Sequence, residues 1–161
     1  MGISSYQLRE TVILPTLQAL ELSSESAVQL LLGTCAQETL MGRYLVQRNI
    51  GFRGGIGIYQ MQRASYRMIW DKMVEGNGIM KAKMKLLLNY GGMPPAERLA
   101  TDLALATAMC RLYYYAINAP LPAANDIPGM AAYWKKWYNT ELGAGTPAQF
   151  IQHYDRYVGK T

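Results

Sequence analysis

Apolar residues recur at helical spacing through most of this chain, and the interruptions between them mark where each helix starts and stops. Residues 6–20 read as a first helix, which Pro15 should kink because proline removes a backbone donor. Ser23 or Ser24 then caps an amphipathic helix whose stripe is Val28, Leu31, Leu32 and Cys35, with Gly42 as its C-terminal stop. Periodic segments follow over residues 64–73 and 80–89, and Gly91-Gly92-Met93-Pro94-Pro95 breaks the pattern. Residues 96–117 form the longest predicted helix and the expected central core helix, with Leu99, Leu103, Ala106, Cys110 and Tyr113 on one stripe. A loop over residues 118–126 carries Pro120 and Pro122, and a helix is expected over residues 128–138. The last helix opens on Thr146-Pro147-Ala148-Gln149, with threonine as N-cap, proline at the first helical position and glutamine as capping-box partner.

One segment departs from this period. Residues 49–60 hold Gly51, Gly54, Gly55 and Gly57 interleaved with Ile50, Phe52, Ile56, Ile58 and Tyr59, and the alternation over residues 55–60 predicts a short strand or hairpin. A phosphate-cradling loop is the competing reading. It fails because no Gly-Lys-Ser/Thr closes the run and its spacing is not that of a dinucleotide fingerprint.

Just before this segment stands an isolated acid. Between Glu38 and Asp71 there is no other Asp or Glu, so chemistry performed here has one carboxyl group available. Glu38 lies on the edge of the apolar stripe and in the last turn of its helix. Desolvation and the negative end of the helix dipole both disfavour the carboxylate, which predicts a raised pKa and suits a general acid. The bland alternative is a solvated glutamate at a helix end.

The order Glu38-Thr39, Gly57-Ile58-Tyr59-Gln60 and Tyr138-Asn139 resembles the lysozyme-like superfamily, and within it lytic transglycosylases and goose-type lysozymes. Those families carry a catalytic glutamate at a helix end, usually followed by serine, then Gly-Leu-Met-Gln in a short sheet, then Tyr-Asn. Residues 30–38 together with 57–70 also look like small phage-encoded proteins of this fold. The resemblance implies a mainly α, α+β lysozyme-like fold: one domain over residues 1–161, with a small glycine-rich β wing beside the active-site cleft. It implies cleavage of the bond between N-acetylmuramic acid and N-acetylglucosamine in peptidoglycan glycan strands. Glu38 would be the catalytic acid, and Thr39, Tyr59, Gln60, Tyr138 and Asn139 would bind substrate.

The chain departs from the family pattern at four places. Thr39 replaces serine but keeps a hydroxyl, Tyr59 stands where methionine is common, no glycine follows Asn139, and Gln62 stands where phage relatives often have an acid. These departures keep open a second reading, a catalytically inactive lysozyme-fold virion structural or wall-binding protein.

Counting acids bears on mechanism. An inverting glycosidase needs a second carboxylate to activate water, and a retaining one needs a carboxylate nucleophile. Asp71 and Glu75 are the nearest candidates and fall beyond the wing. The resemblance implies a transglycosylase that needs neither, because the substrate's N-acetyl group and C6 hydroxyl do that work and leave a 1,6-anhydro product.

Length and composition suit this picture. A chain of 161 residues can bury roughly two thirds of its unfolded surface, enough for one core. Cys35 and Cys110 fall on apolar stripes and read as small buried hydrophobes, and neither is positioned with His153 as a nucleophilic pair. One histidine and two isolated cysteines supply no zinc site, so no metal or cofactor is expected.

The net charge of +5 includes Arg43, Arg48, Arg53, Arg63, Arg67, Lys72, Lys81, Lys83 and Lys85. Such a surface suits anionic envelope polymers or nucleic acid. The basic residues are scattered, with no reading helix, zinc finger or aromatic RNA-binding signature, so nucleic acid is not the expected partner. No run approaches about 20 apolar residues and residues 1–14 lack a signal-peptide pattern, so no membrane insertion is expected. The expectation is synthesis in a host cytoplasm, then residence in a phage virion, with virion or tail proteins as partners, or delivery to the periplasm. The aromatic runs Tyr113-Tyr114-Tyr115 and Tyr133-Trp134, with Trp137 and Tyr138, supply ring faces that suit core packing or sugars. Consecutive helical tyrosines point about 100° apart, so at least one of the three should reach the surface.

Overall fold

The structure, a computed structural model, describes residues 2–159 and is mainly helical with one small two-stranded sheet. Glu25–Thr39 lies at its centre. Ala27, Val28, Leu30, Leu31, Leu32, Gly33, Thr34, Cys35, Ala36 and Thr39 are all buried, so the helix is covered nearly all round rather than along one stripe. Ser24 caps it by accepting from Ala27 N at 3.1 Å. Gly33 lets the last helix, Pro147–Tyr157, come close: a Cβ there would stand 2.3 Å from Phe150 Cζ. Leu103–Tyr115 packs against the same helix, and Thr34 Oγ1 meets Tyr114 Oη at 2.8 Å across the buried contact.

The expected helix over residues 96–117 divides in two. Ala96–Ala100 is a 3-10 turn, and the α-helix restarts at Leu103 because the Asp102 carboxylate accepts from Leu105 N at 2.9 Å. The 15-residue Glu25–Thr39 helix is therefore longer than the 13 residues of Leu103–Tyr115 and shares the core position expected of it. Pro15 has no N–H to donate to the Thr11 carbonyl in a regular α-helix, and a π-helical turn over Arg9–Ile13 stands just before it, where Leu14–Ala19 continues as α-helix. Two further helices end in π-helical turns, Arg63–Ile69 in Trp70–Glu75 and Ile127–Trp134 in Lys135–Asn139. The capping box at Thr146 forms as read, with Gln149 N to Thr146 Oγ1 at 3.2 Å and Thr146 N to Gln149 Oε1 at 3.0 Å.

The glycine-rich segment makes the sheet, earlier in the chain than expected. Strand β1, Val46–Gln47, pairs antiparallel with β2, Gly51–Ile56, and a bulge separates the pairs Val46 with Ile56 and Gln47 with Gly51. Residues 57–60, expected as strand, form a tight turn instead, closed by the bridge between Ile56 and Met61. Gly57 requires that turn: its φ is +79°, and a Cβ would lie 2.1 Å from the carbonyl oxygen of Leu99. The wing is thus seated directly on the 3-10 turn.

Candidate active site

Glu38 occupies the last turn of the central helix, where Leu40 caps the end in the left-handed conformation at φ +53°. Met41 and Gly42 continue it at +64° and +77°, so the chain turns sharply toward the wing two residues before the glycine expected to stop the helix. Left-handed backbone costs of order 1 kcal/mol at a residue with a side chain, and here it falls on two in succession beside the acid.

The Glu38 carboxyl is largely withdrawn from water, and its Oε1 accepts from Trp134 Nε1 at 2.9 Å. Burial pushes its pKa up to about 7, and the indole bond offsets only part of that rise. No other carboxylate contributes to the shift. The backbone carbonyl of Glu38 accepts from the Tyr44 hydroxyl at 2.6 Å, which ties the strained exit segment to the helix end.

Thr39, Tyr59, Gln60 and Tyr138, four of the residues singled out from the sequence, meet where this helix end joins the wing, with their polar groups turned mostly to internal work. Thr39 is buried, and its hydroxyl donates to the Ile58 carbonyl at 2.8 Å while accepting from Gly42 N at 2.8 Å. It clamps helix to wing rather than facing a cleft. Tyr59 is also buried, with its hydroxyl 3.1 Å from Thr107 Oγ1 in the core. The Tyr138 hydroxyl donates to the Tyr59 carbonyl at 2.6 Å, and its ring stacks on Tyr114 with centroids 5.3 Å apart.

Gln60, at φ +49°, donates through Nε2 to Gly57 O at 2.9 Å and Leu45 O at 3.2 Å, bracing the turn from inside. Its Oε1 is buried with no partner among the described residues. Gln60, Met61, Gln62, Ser65, Tyr113 and Tyr138 line one narrow cleft where the wing meets the helices. Asn139 stands apart from it, its Oδ1 accepting from Lys135 Nζ at 2.7 Å while Lys135 also donates to Gly143 O. Tyr115 is the member of the tyrosine triplet that reaches solvent, at 53 % exposure.

Sequence reasoning placed Trp134 among the aromatic residues but not against the acid, and it missed Tyr44. The first pairing joins residues 96 positions apart and has no local signal. The Cys35 thiol is buried and pushed up to about 12, while His153 Nδ1 pairs with Gln37 Oε1 at 2.8 Å, so these two do not form a nucleophilic pair. Among the described residues no group of acids, cysteines and histidines could hold a metal ion, and no helix is long and apolar enough to cross a membrane.

Tyr138→Phe tests the bond between the C-terminal helices and the wing. Losing a donor to a buried carbonyl should cost about 1 kcal/mol and lower Tm by roughly 2–4 °C. If the clamp also holds the wing in register with Glu38, kcat should fall severalfold at temperatures where the variant is fully folded. Unchanged kcat beside a lowered Tm would make the bond purely structural.

Compared with protein families, curated proteins and solved structures, the chain matches none.

Proposed function

We propose that this protein is a peptidoglycan-cleaving enzyme of lysozyme-like type acting as a lytic transglycosylase, with Glu38 as acid and then base. The observation that carries the reading is a single carboxyl at a helix end beside a β wing, with its pKa pushed up to about 7 by burial and no second carboxylate acting on it. A group half protonated near neutral pH can both give and take a proton. Glu38 protonates the glycosidic oxygen as the bond to C1 of N-acetylmuramic acid breaks. The N-acetyl oxygen shields the developing positive charge. The Glu38 carboxylate then takes the proton from the C6 hydroxyl as that oxygen bonds to C1, leaving a 1,6-anhydro end and the regenerated acid. No water is consumed.

The next acids after Glu38 along the chain have other surroundings. Glu75 pairs with Lys81 at 2.6 Å, and Asp71 lines a groove with Arg53, Gln62, Arg63, Arg67 and Met68 that adjoins the cleft at Gln62. Asp71→Asn and Glu75→Gln should therefore each keep most activity on purified peptidoglycan. Mass spectrometry of a digest in isotope-labelled water should find anhydro ends without solvent oxygen. Labelled reducing ends, together with a dead amide variant of either acid, would replace the transglycosylase by a two-carboxylate hydrolase.

One observation favours a second reading, an inactive lysozyme-fold virion or wall-binding protein. The hydroxyls of Thr39 and Tyr138 and the side chain of Asn139 are all engaged within the protein rather than free for sugar. The same digest separates the two readings, since a binding protein sediments with the wall and releases no product.

A further inference from the structure

Gln62 belongs to two surface features at once. On one side it lines the cleft with Gln60, Tyr113 and Tyr138, and on the other it lines an open groove of about 670 Å³ with Arg53, Arg63, Arg67 and Asp71. The two are therefore continuous. Tyr138 also links the cleft to the acid, because burial first, and then nearby groups that include Cys110 and Glu38, push its phenol pKa up.

The three arginines of this groove come from two elements, Arg53 from the wing and Arg63 and Arg67 from the Arg63–Ile69 helix. All three are exposed. Arg63 is paired with Glu97 at 2.6 Å, a residue that does not line the groove. Arg53 bonds only through Nε, to the Ile50 carbonyl at 3.4 Å, and Arg67 makes no hydrogen bond or ion pair among the described residues. Asp71 lies one turn beyond Arg67 and forms no ion pair with it among the described residues. Two guanidinium groups on facing walls thus stand without an acid.

We propose that Arg53 and Arg67 bind carboxylates of the peptide stem carried by N-acetylmuramic acid, so that the substrate is the peptide-bearing strand rather than bare glycan. The inference rests on the reading of this protein as a peptidoglycan-cleaving enzyme, which places sugar in the adjoining cleft. Guanidinium suits the ligand, since its planar fork holds a carboxylate through two parallel N–H bonds. Distance then selects which carboxylate. Arg67 stands five residues beyond Gln62, about 7.5 Å along the helix axis, and an extended peptide covers that in two to three residues. The carboxylate of a bare lactyl group, beside the sugar ring, stops short of it. Asp71 selects against a phosphate polymer, whose closely repeated charges would bring one of them beside the acid.

The test is fluorescence anisotropy of labelled soluble glycan strands, either intact or stripped of peptide by an amidase, titrated with the full chain carrying Glu38→Gln. Intact strands should bind about fivefold tighter than stripped ones, which keep the lactyl carboxylate, and salt should narrow the difference. Adding Arg53→Gln and Arg67→Gln should remove the preference. Lys85→Gln with Arg156→Gln takes away the same charge outside the groove and should leave it in place. Arg53 and Arg67 are exposed, so thermal unfolding of their double variant should match its parent. Equal affinity for the two strands overturns the proposal, as does a preference that the arginine variant retains or that the control pair abolishes as well. Polyphosphate binding tighter than intact strands, and lost with the two arginines, assigns the groove to a phosphate polymer and overturns it equally. The underlying reading fails in a different way: stem-dependent binding by a wild-type protein that cleaves neither strand removes the enzyme and leaves the stem site standing.

Discussion

Glu38→Gln should remove wall cleavage by about a hundredfold or more while making the protein more stable above neutral pH. The first effect follows from the proposed function, because the amide keeps the shape of the side chain and has no transferable proton. The second follows from burial alone. Folding raises the pKa of Glu38 from 4.5 to about 7, so the folded state binds the proton more tightly than the unfolded chain. The stabilisation linked to that proton is complete below the unfolded value, declines as pH rises from about 4.5, and is gone above about 7. The difference of roughly 2.5 units corresponds to about 3 kcal/mol at 1.36 kcal/mol per unit.

An amide does not ionise, so the variant should escape this decline, and its advantage over the wild type should grow across the same window. At worst the Trp134 bond survives, since the amide oxygen still accepts from Nε1. Urea unfolding at pH 5 and pH 8 measures the stability difference, and turbidity loss of a cell-wall suspension measures activity. Near-normal cleavage by Glu38→Gln would remove Glu38 as the acid. An equal stability difference at both pH values would mean that the folded protein does not perturb its ionisation.

How much of this was legible in the sequence depended on whether the signal was local. The place of Glu38 at a helix end, and the direction of its pKa shift, followed from an apolar stripe and a helix stop within a few residues. The capping box at Thr146 and the disturbance at Pro15 were legible for the same reason, since both act through the adjacent turn. The division of the helix expected over residues 96–117 was not. Asp102 followed by an alanine- and leucine-rich run can sit inside a helix or cap one, and its bond to Leu105 N together with the Arg98 ion pair at 2.6 Å decides between them.

The site residues divide along the same line. Position brought Thr39, Tyr59, Gln60 and Tyr138 to one junction, but sequence could not tell which polar groups would face outward. That depends on partners far along the chain: Ile58 for Thr39, Thr107 for Tyr59, the Tyr59 carbonyl for Tyr138. A wing of eight strand residues and a tight turn reaches the core only through Ile56, Ile58, Tyr59 and Met61 at its end. The hydroxyls of Thr39 and Tyr138 are used here to hold it to the helices. Trp134 reaches Glu38 by the same kind of long-range placement, and no spacing rule could have announced it.

Gly57→Ala should have the largest effect on stability, because two independent requirements meet at that position. The backbone is at φ +79°, where an alanine is strained by about 1 kcal/mol or more. A Cβ there would also stand 2.1 Å from the Leu99 carbonyl oxygen and 2.8 Å from its carbon, and backbone cannot swing aside as a side chain end would. Relieving that overlap means lifting the wing off the 3-10 turn, which would stretch the bonds from Thr39 to the Ile58 carbonyl and from Tyr138 to the Tyr59 carbonyl. A total loss of about 3 kcal/mol or more is expected, a Tm lower by roughly 6–12 °C for a chain of this size.

The neighbouring Gly51 is the internal control. Its φ is also positive, at +53°, but nothing lies within 4 Å of a Cβ there, so Gly51→Ala should show only the backbone strain. If the two variants lose equal stability, the close approach to Leu99 has no energetic consequence and the wing is not seated as described. If Gly57→Ala alone collapses, the wing depends on that contact, and with it the geometry of the cleft that Gln60 and Tyr138 line.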